Sequence, residues 1–358
     1  MKILTVVGAR PQFIKAAPVS RAIRKSYEEV LVHTGQHYDK AMSDVFFEEL
    51  NIPIPEYHLH VGSKSHGAQT GEMLTKIEEV MLKEKPDCVL VYGDTNSTLA
   101  GAVAASKIHI PVAHVEAGLR SFNRRMPEEV NRVLTDHVSK WLFCPTQTAV
   151  NHLASEGIQK GVHLCGDVML DAVIYNGALA KEKSTILERL DLKAGAYLLI
   201  TLHRAENTDD PSRLSEIIKA INQIDQPTIL PMHPRTKGKL VQFDLRITNP
   251  FVNCIDPVGY LDMLQLETNA SKILTDSGGV QKEAFFAQVP CITMRDETEW
   301  TETVERKTNV LVGANSEKIL HALAQFEVDF TRVDPIFGTG DAADQIVQQI
   351  HADLVEGK

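Results

Sequence analysis

Short apolar runs rich in β-branched residues recur along the chain, and segments long enough for helices separate them. In the first half they are Ile3–Val7, Val30–Val32, Val89–Tyr92, Val112–Val115, Trp141–Cys144 and Val162–Leu164. The second half repeats the arrangement at Tyr197–Leu202, Thr228–Met232, Phe251–Ile255, Lys272–Thr275, Cys291–Met294 and Asn309–Val312. An unbroken apolar run suits a strand covered on both faces, because neither side of its pleat meets water. The spacers supply the cover. In Glu128–Val138, residues Val130, Val133, Leu134, His137 and Val138 follow the i, i+3, i+4, i+7, i+8 stripe, which predicts a helix with that stripe turned inward. Alternating strands and helices, about six strands per half, predict an α/β protein of two Rossmann-like, doubly wound domains.

The expected boundary lies near Gly166–Asp171, ahead of a long helical stretch Ala172–Leu192, giving domains of residues 1–167 and 168–344. No Gly/Ser-rich linker separates the halves, so they are expected to face each other across a central cleft. A last helix spans about Asp341–Val355. The length of 358 residues agrees with two domains of roughly 150 each. A hydrophobic share of 43% with 23% charged residues excludes a disordered chain. The net charge of −10 leaves no basic footprint for nucleic acid or an anionic membrane. No apolar run approaches the roughly 18 residues of a membrane span. Met1–Gly8 reads as a first strand, since its apolar part is too short for a signal peptide. The five cysteines are scattered and never form C-x-x-C, which suits reduced thiols in a cytoplasmic protein, with no disulfide or zinc framework.

Open parallel sheets bind ligands beyond the carboxyl ends of their strands, so the residues just after each run carry the chemistry. Five strand ends bear charged or glycine-rich turns: Gly8-Ala9-Arg10-Pro11-Gln12, Gly93-Asp94-Thr95, Glu116-Ala117-Gly118-Leu119-Arg120, His203-Arg204-Ala205-Glu206-Asn207 and Asp276-Ser277-Gly278-Gly279. Ser277-Gly278-Gly279 opens a helix, and backbone N–H groups with a helix dipole attract an anion. On its own the tripeptide is equally a plain strand-to-helix turn; Arg10 and His203, donors able to meet a pyrophosphate, raise the phosphate reading. Asp94, Glu116 and Glu128 form a second constellation. Taken singly, Asp94 and Glu128 read as helix-terminal acids; aimed at one site, the three suit proton transfer.

Other signals fail. Gly338-Thr339-Gly340-Asp341-Ala342-Ala343 matches G-x-G-x-x-A, yet no strand precedes it and no acidic ribose partner can follow, so NAD is not expected. No H-x-x-x-H or H-E-x-x-H occurs among the 14 histidines, so no metal is expected. G-x-S-x-G and a Walker A sequence are absent too.

The ordered motifs Gly8–Gln12, Gly93-Asp94-Thr95, His114–Arg120, Pro127-Glu128-Glu129-Val130-Asn131-Arg132, His203–Asn207 and Thr275–Glu283 closely resemble the non-hydrolysing UDP-N-acetylglucosamine 2-epimerases, from about residue 3 to about residue 345. The resemblance implies a glycosyltransferase-B-like fold, UDP held mainly by the second domain, the C-terminal helix 345–358 returned to the first, and a homodimer. It also implies a reaction without a cofactor. The C2 proton of a 2-acetamido sugar is not α to a carbonyl, so the family eliminates UDP to a 2-acetamidoglucal and adds it back with the proton on the other face. By resemblance Asp94, Glu116 and Glu128 are the acid–base set, with their roles undivided, and His203 is catalytic. Arg10, Lys15, Ser277, Gly278, Gly279 and Glu283 match positions around UDP or the sugar, and Met263 and Trp300 match positions near the nucleotide.

Departures refine the expectation. Many members carry an allosteric UDP-sugar site; Gln36-His37 and Gln69-Thr70 are kept here, but Ala68 stands where an arginine commonly precedes that Gln-Thr. Met263 stands where phenylalanine is frequent. In Arg295-Asp296-Glu297-Thr298-Glu299-Trp300-Thr301-Glu302, Trp300 replaces a second arginine, and Gln281-Lys282-Glu283-Ala284-Phe285-Phe286 is bulkier than usual. Both features resemble the subgroup acting on UDP-2,3-diacetamido-2,3-dideoxy-glucuronate for surface polysaccharides. Trp300 is expected to offer flat surface to the extra acetamido group, with Lys282 or Arg120 meeting the added carboxylate. The alternatives are plain UDP-N-acetylglucosamine as substrate, a glycosyltransferase of the same fold, or a non-catalytic nucleotide-sugar sensor. Three carboxylates in the first half disfavour the last two.

Overall fold

The computed structural model describes residues 1–36 and 52–356. By its internal contacts the chain divides into a first unit, Met1–Ile174 with Pro335–Lys358, and a second, Tyr175–Asp334. The division falls inside the helix Val168–Lys183, which begins before the expected stretch and ends before a short helix Ile186–Arg189.

All strands of the first unit are parallel: β1 (Lys2–Val7), β2 (Glu28–His33), β3 (Tyr57–His58), β4 (Cys88–Tyr92), β5 (Val112–Val115), β6 (Trp141–Cys144) and β7 (Val162–Leu164), ordered β3-β2-β1-β4-β5-β6-β7. The second unit holds β8 (Leu198–Thr201), β9 (Thr228–Pro231), β10 (Val252–Ile255), β11 (Lys272–Thr275), β12 (Cys291–Thr293) and β13 (Asn309–Leu311), also parallel, ordered β10-β9-β8-β11-β12-β13. Every apolar run singled out in the sequence is one of these strands. The addition is β3, a two-residue edge strand bonded to Val32 and His33, whose histidine-flanked sequence carries no apolar run.

Both sheets are buried on two faces, as parallel sheets must be. In the first unit Leu4, Val6, Val89 and Val91 pack against Met73 and Ile77 of the helix His66–Glu84 and the alanines of the helix Asn96–Lys107. In the second, Leu198, Ile200, Leu274 and Ile292 meet Leu214, Ile217 and Ile218 on one side, while Leu199, Ile229 and Ile273 meet Val280 and Ala284 on the other. The last helix, Ala342–Glu356, lies against Arg10–Arg24, and Trp141 Nε1 donates to Asp353 Oδ2 at 2.5 Å.

One expectation is overturned. The helix Pro127–Val138 forms, but its apolar stripe faces outward: Val130, Leu134 and Val138 are 42%, 47% and 36% exposed. Glu129, Asn131, Arg132, Thr135 and Asp136 are the buried residues instead. Periodicity identifies a helix; it cannot say which stripe finds partners, and here the polar stripe meets charged groups at strand ends.

Candidate active site

Strand order reverses between β1 and β4 in the first unit and between β8 and β11 in the second. At such a switch point the neighbouring loops diverge and leave the backbone beyond the strand ends open to a ligand. Four of the five turns singled out in the sequence follow these four strands.

In the first unit, Gln12 staples the turn after β1. Its amide oxygen accepts from the N–H groups of Gly8 (2.8 Å) and Ala9 (3.1 Å), and its amide nitrogen donates to the Tyr92 carbonyl at the end of β4 (2.8 Å). Arg10 opens the helix Arg10–Arg24 from this turn, with Pro11 in its first turn. One helical turn on, Lys15 pairs with Glu116, both side chains largely buried. A Cβ on Gly93, whose φ is +62°, would stand 3.2 Å from Glu116 Oε2 and 3.3 Å from Lys15 Nζ, so the β4 turn abuts that pair.

Asp94 is gripped by Arg132, which donates to Oδ2 from Nε (3.0 Å) and Nη2 (2.7 Å). Asn131 donates to the Asp94 carbonyl at 2.9 Å. Arg132 also reaches Glu129 at 2.9 Å. Burial disfavours the charge on Glu129, but donors from Ser121 N–H, Phe122 N–H and Arg132 outweigh it and hold the carboxyl below its ordinary range. Glu128, its neighbour, is exposed in the helix's first turn. The structure thus brings Asp94, Glu116 and Lys15 together at neighbouring strand ends, and keeps Glu128 on the solvent side of the same helix. Arg132 entered the sequence reading only as part of the Pro127–Arg132 motif, without a role; its i, i+3 spacing from Glu129, the pair that forms, was the available signal.

The expected role of Arg120 fails. Arg120 is buried, donates to both oxygens of Glu156 at 2.7 Å and lies 2.8 Å from Asp136, so it is committed to internal carboxylates.

In the second unit, buried Asp276 clamps the β8 turn onto the end of β11. Its carboxylate accepts from the N–H groups of His203 (3.1 Å) and Arg204 (2.9 Å) and from Asn207 Nδ2 (3.2 Å). His203 itself is half-exposed, and its Nδ1 lies 3.7 Å from Asp276. Ser277 caps the helix Gly278–Phe286, accepting from Val280 N–H, and starts that helix at the strand end. Gly278 admits Glu299: a Cβ there would be 2.5 Å from Glu299 Oε1. Gly279 follows it in the first turn of the helix. Glu283, one turn further, is buried, and its charge adds to the burial that drives the Glu267 carboxyl well above its ordinary range.

Met263 is half-buried against the core around Val280 and Ala284. Trp300 is 3% exposed, and Lys282 Nζ lies 4.1 Å over its ring, so the indole offers no open flat surface here. Of the Gln36-His37 pair, His37 lies outside the described residues; Gln36 accepts from Ser97 and Gln69 accepts from Asn96. No group of three or more His, Cys, Asp or Glu side chains able to hold a metal is found among the described residues.

The family model for UDP-N-acetylglucosamine 2-epimerase matches residues 21–351. The chain belongs to the UDP-N-acetylglucosamine 2-epimerase family. It is therefore an isomerase acting on carbohydrates, a non-hydrolysing UDP-sugar 2-epimerase. It is 55% identical to a UDP-N-acetylglucosamine 2-epimerase homolog of Methanococcus maripaludis, over 97% of this chain and 99% of the relative. It is 51% identical to the UDP-2,3-diacetamido-2,3-dideoxy-D-glucuronate 2-epimerase of Pseudomonas aeruginosa, over 98% and 99%. A crystal structure of the Methanocaldococcus jannaschii UDP-GlcNAc 2-epimerase in complex with UDP-GlcNAc and UDP superposes with a TM-score of 0.91 at 48% identity, covering 98% of this chain and all of that one. The epimerase shares the glycosyltransferase-B-like fold of these neighbours. No helix among the described residues is long and apolar enough to cross a membrane.

Proposed function

We propose that this epimerase inverts C2 of UDP-2,3-diacetamido-2,3-dideoxy-glucuronate by eliminating UDP and adding it back. A base takes the C2 proton while the C1–O bond breaks toward UDP, leaving a 2-acetamidoglucal; an acid then returns a proton to the opposite face as UDP re-adds at C1. The observation that carries the reaction is the placement of Asp94 and Glu116 at adjacent strand ends beside the β1/β4 switch point, each against a cation, Arg132 and Lys15. General acid–base catalysis needs such carboxylates within reach of one carbon. We assign the proton transfers to Asp94, Glu116 and Glu128. Binding of the departing diphosphate falls to Arg10, His203 and the Ser277-Gly278-Gly279 helix start, where the dipole and the N–H groups of Gly278 and Gly279 favour an anion. Glu283 and Met263 are assigned to the nucleoside.

The diacetamido substrate is supported by the Pseudomonas relative and by Trp300 and Gln281–Phe286, which depart together from the pattern of the plain-substrate enzymes. The buried Lys282–Trp300 stack replaces the expected guanidinium with an aromatic–cation pair. UDP-N-acetylglucosamine is the second reading, favoured by the likeness to the Methanocaldococcus enzyme. Side-by-side turnover in D2O tests both. Deuterium entering C2 of the diacetamido-glucuronate far faster than C2 of UDP-N-acetylglucosamine is the expected result. Equal or faster turnover of the plain sugar reverses the substrate assignment, and no deuterium in either removes the elimination mechanism.

A further inference from the structure

Glu116 adopts φ +70°, a left-handed conformation that an L side chain rarely takes and that costs on the order of 1–3 kcal/mol unless its surroundings hold it. The turn carrying Asp94 begins at Gly93, also left-handed. What holds both turns is a buried chain of side chains beneath them. His114, two residues before Glu116 on β5, is fully buried. Its Nδ1 lies 2.7 Å from Asp136 Oδ1, and its Nε2 lies 2.8 Å from the Gly93 carbonyl oxygen. A carbonyl oxygen and an ionised carboxylate only accept. A neutral imidazole has one N–H, so meeting both partners requires the doubly protonated ring. The other oxygen of Asp136 accepts from the Gly118 N–H at 3.2 Å, two residues beyond Glu116, and faces Arg120 at 2.8 Å. Arg120 in turn forks onto Glu156. One carboxylate thereby touches the Glu116 turn directly and the Asp94 turn through His114.

We infer that His114, charged and held by Asp136, is a positioning residue that fixes the Gly93-Asp94 turn against the strained Glu116 turn, setting the separation of the two carboxylates on which catalysis depends. Neither His114 nor Asp136 is placed in contact with substrate; they act through the backbone. The inference rests on the proposed acid–base role of Asp94 and Glu116. A misplacement of about 1 Å between reacting groups can cost about 10²-fold in rate, so a single buried bond to the Gly93 carbonyl is enough to matter.

Two conservative variants separate the bonds. Asparagine places its amide nitrogen near Nδ1 and keeps the contact with Asp136; glutamine places its own near Nε2 and keeps the contact with Gly93. For His114→Asn, kcat is expected to fall about 10²-fold with KM little changed. His114→Gln is expected to stay within about tenfold of the parent enzyme. A purely structural histidine would instead lower the melting temperature in both variants without separating their kcat values. Parent-like kcat in the asparagine variant, or equal loss in both, overturns the inference. So does a loss carried by KM alone. The ring nitrogens of the parent enzyme give an independent reading: histidine-selective 15N spectra are expected to show His114 protonated on both, and a ring with one proton overturns the assignment even if the asparagine variant does not fold. Asp94→Asn and Glu116→Gln, assayed beside them, distinguish the two levels. Full turnover in these amides removes the acid–base reading, whereas their loss beside a parent-like His114→Asn removes only the positioning role.

Discussion

At the residue scale, burial decides what a side chain's charge can do, and sequence does not report burial. His33 sits at the end of β2 with its ring centroid 4.4 Å from that of His58 and 5.0 Å from that of Phe13. Burial, with repulsion from His58 added, pushes its pKa down to about 4. The unfolded chain takes up this proton near pH 6.5 and the folded one only near 4, so stability is fully present above about 6.5 and falls away as pH drops toward 4. The shift corresponds to roughly 3 kcal/mol at most. Thermal melts of His33→Asn, which keeps an acceptor for the Gly35 N–H, should lose less between pH 7 and pH 5 than the parent. An identical acid slope would remove His33 as its source. His58-Leu59-His60 is plain in the sequence as a cluster; that His58 stacks on His33, with His60 stacked on His58 in turn, is a tertiary fact.

At the element scale, the helix Pro127–Val138 shows two adjacent carboxylates with opposite work. Glu129 faces inward, accepting from two backbone N–H groups and Arg132, while Glu128 is exposed. Glu129→Gln leaves a buried acceptor network half-satisfied and should cost about 2 kcal/mol of stability. Glu128→Gln should change stability by less than about 0.5 kcal/mol and reduce turnover at least about 10²-fold. A melt beside an assay checks both; a Glu128→Gln enzyme with intact turnover would place proton transfer elsewhere. The apolar spacing of Val130, Leu134 and Val138 made the helix legible but pointed it the wrong way. The error has a physical cause: Asp94, Ser121, Phe122 and His114 offer strong partners to Arg132, Glu129 and Asp136, and a buried ion pair must be matched wherever it lies, whereas three exposed apolar residues cost little.

At the scale of the whole molecule, the chain's middle and its end are tied within the first unit. Asp171, on the helix Val168–Lys183, accepts from the Ala343 N–H at 2.9 Å, at the start of the last helix. Burial raises its carboxyl to about 6 despite that bond. The folded chain here holds a proton that the unfolded one releases near 3.8, so this contribution is fully present below about 3.8 and is lost as pH rises from there through about 6. Asp171→Asn, neutral throughout, should therefore be more stable than the parent at pH 8 by about 1–2 kcal/mol, after allowing for solvent screening, with roughly half that gain at pH 5 and none below about pH 3.8. Equal melts at pH 8 would show that the carboxylate is accommodated. The sequence by itself determined the strands, their α/β alternation and the turns that carry Asp94, Glu116, His203 and Ser277, because a doubly covered strand needs an unbroken apolar run and a ligand turn needs glycine and charge at its end. Only the tertiary structure decided which face of the Pro127–Val138 helix is buried, that Arg120 is spent on Glu156 and Asp136, that Trp300 is covered by Lys282, and that His114 reaches Gly93. Those outcomes depend on pairing between residues far apart in the chain, and the energy of a buried charge is set by the partner it meets, which local periodicity does not encode.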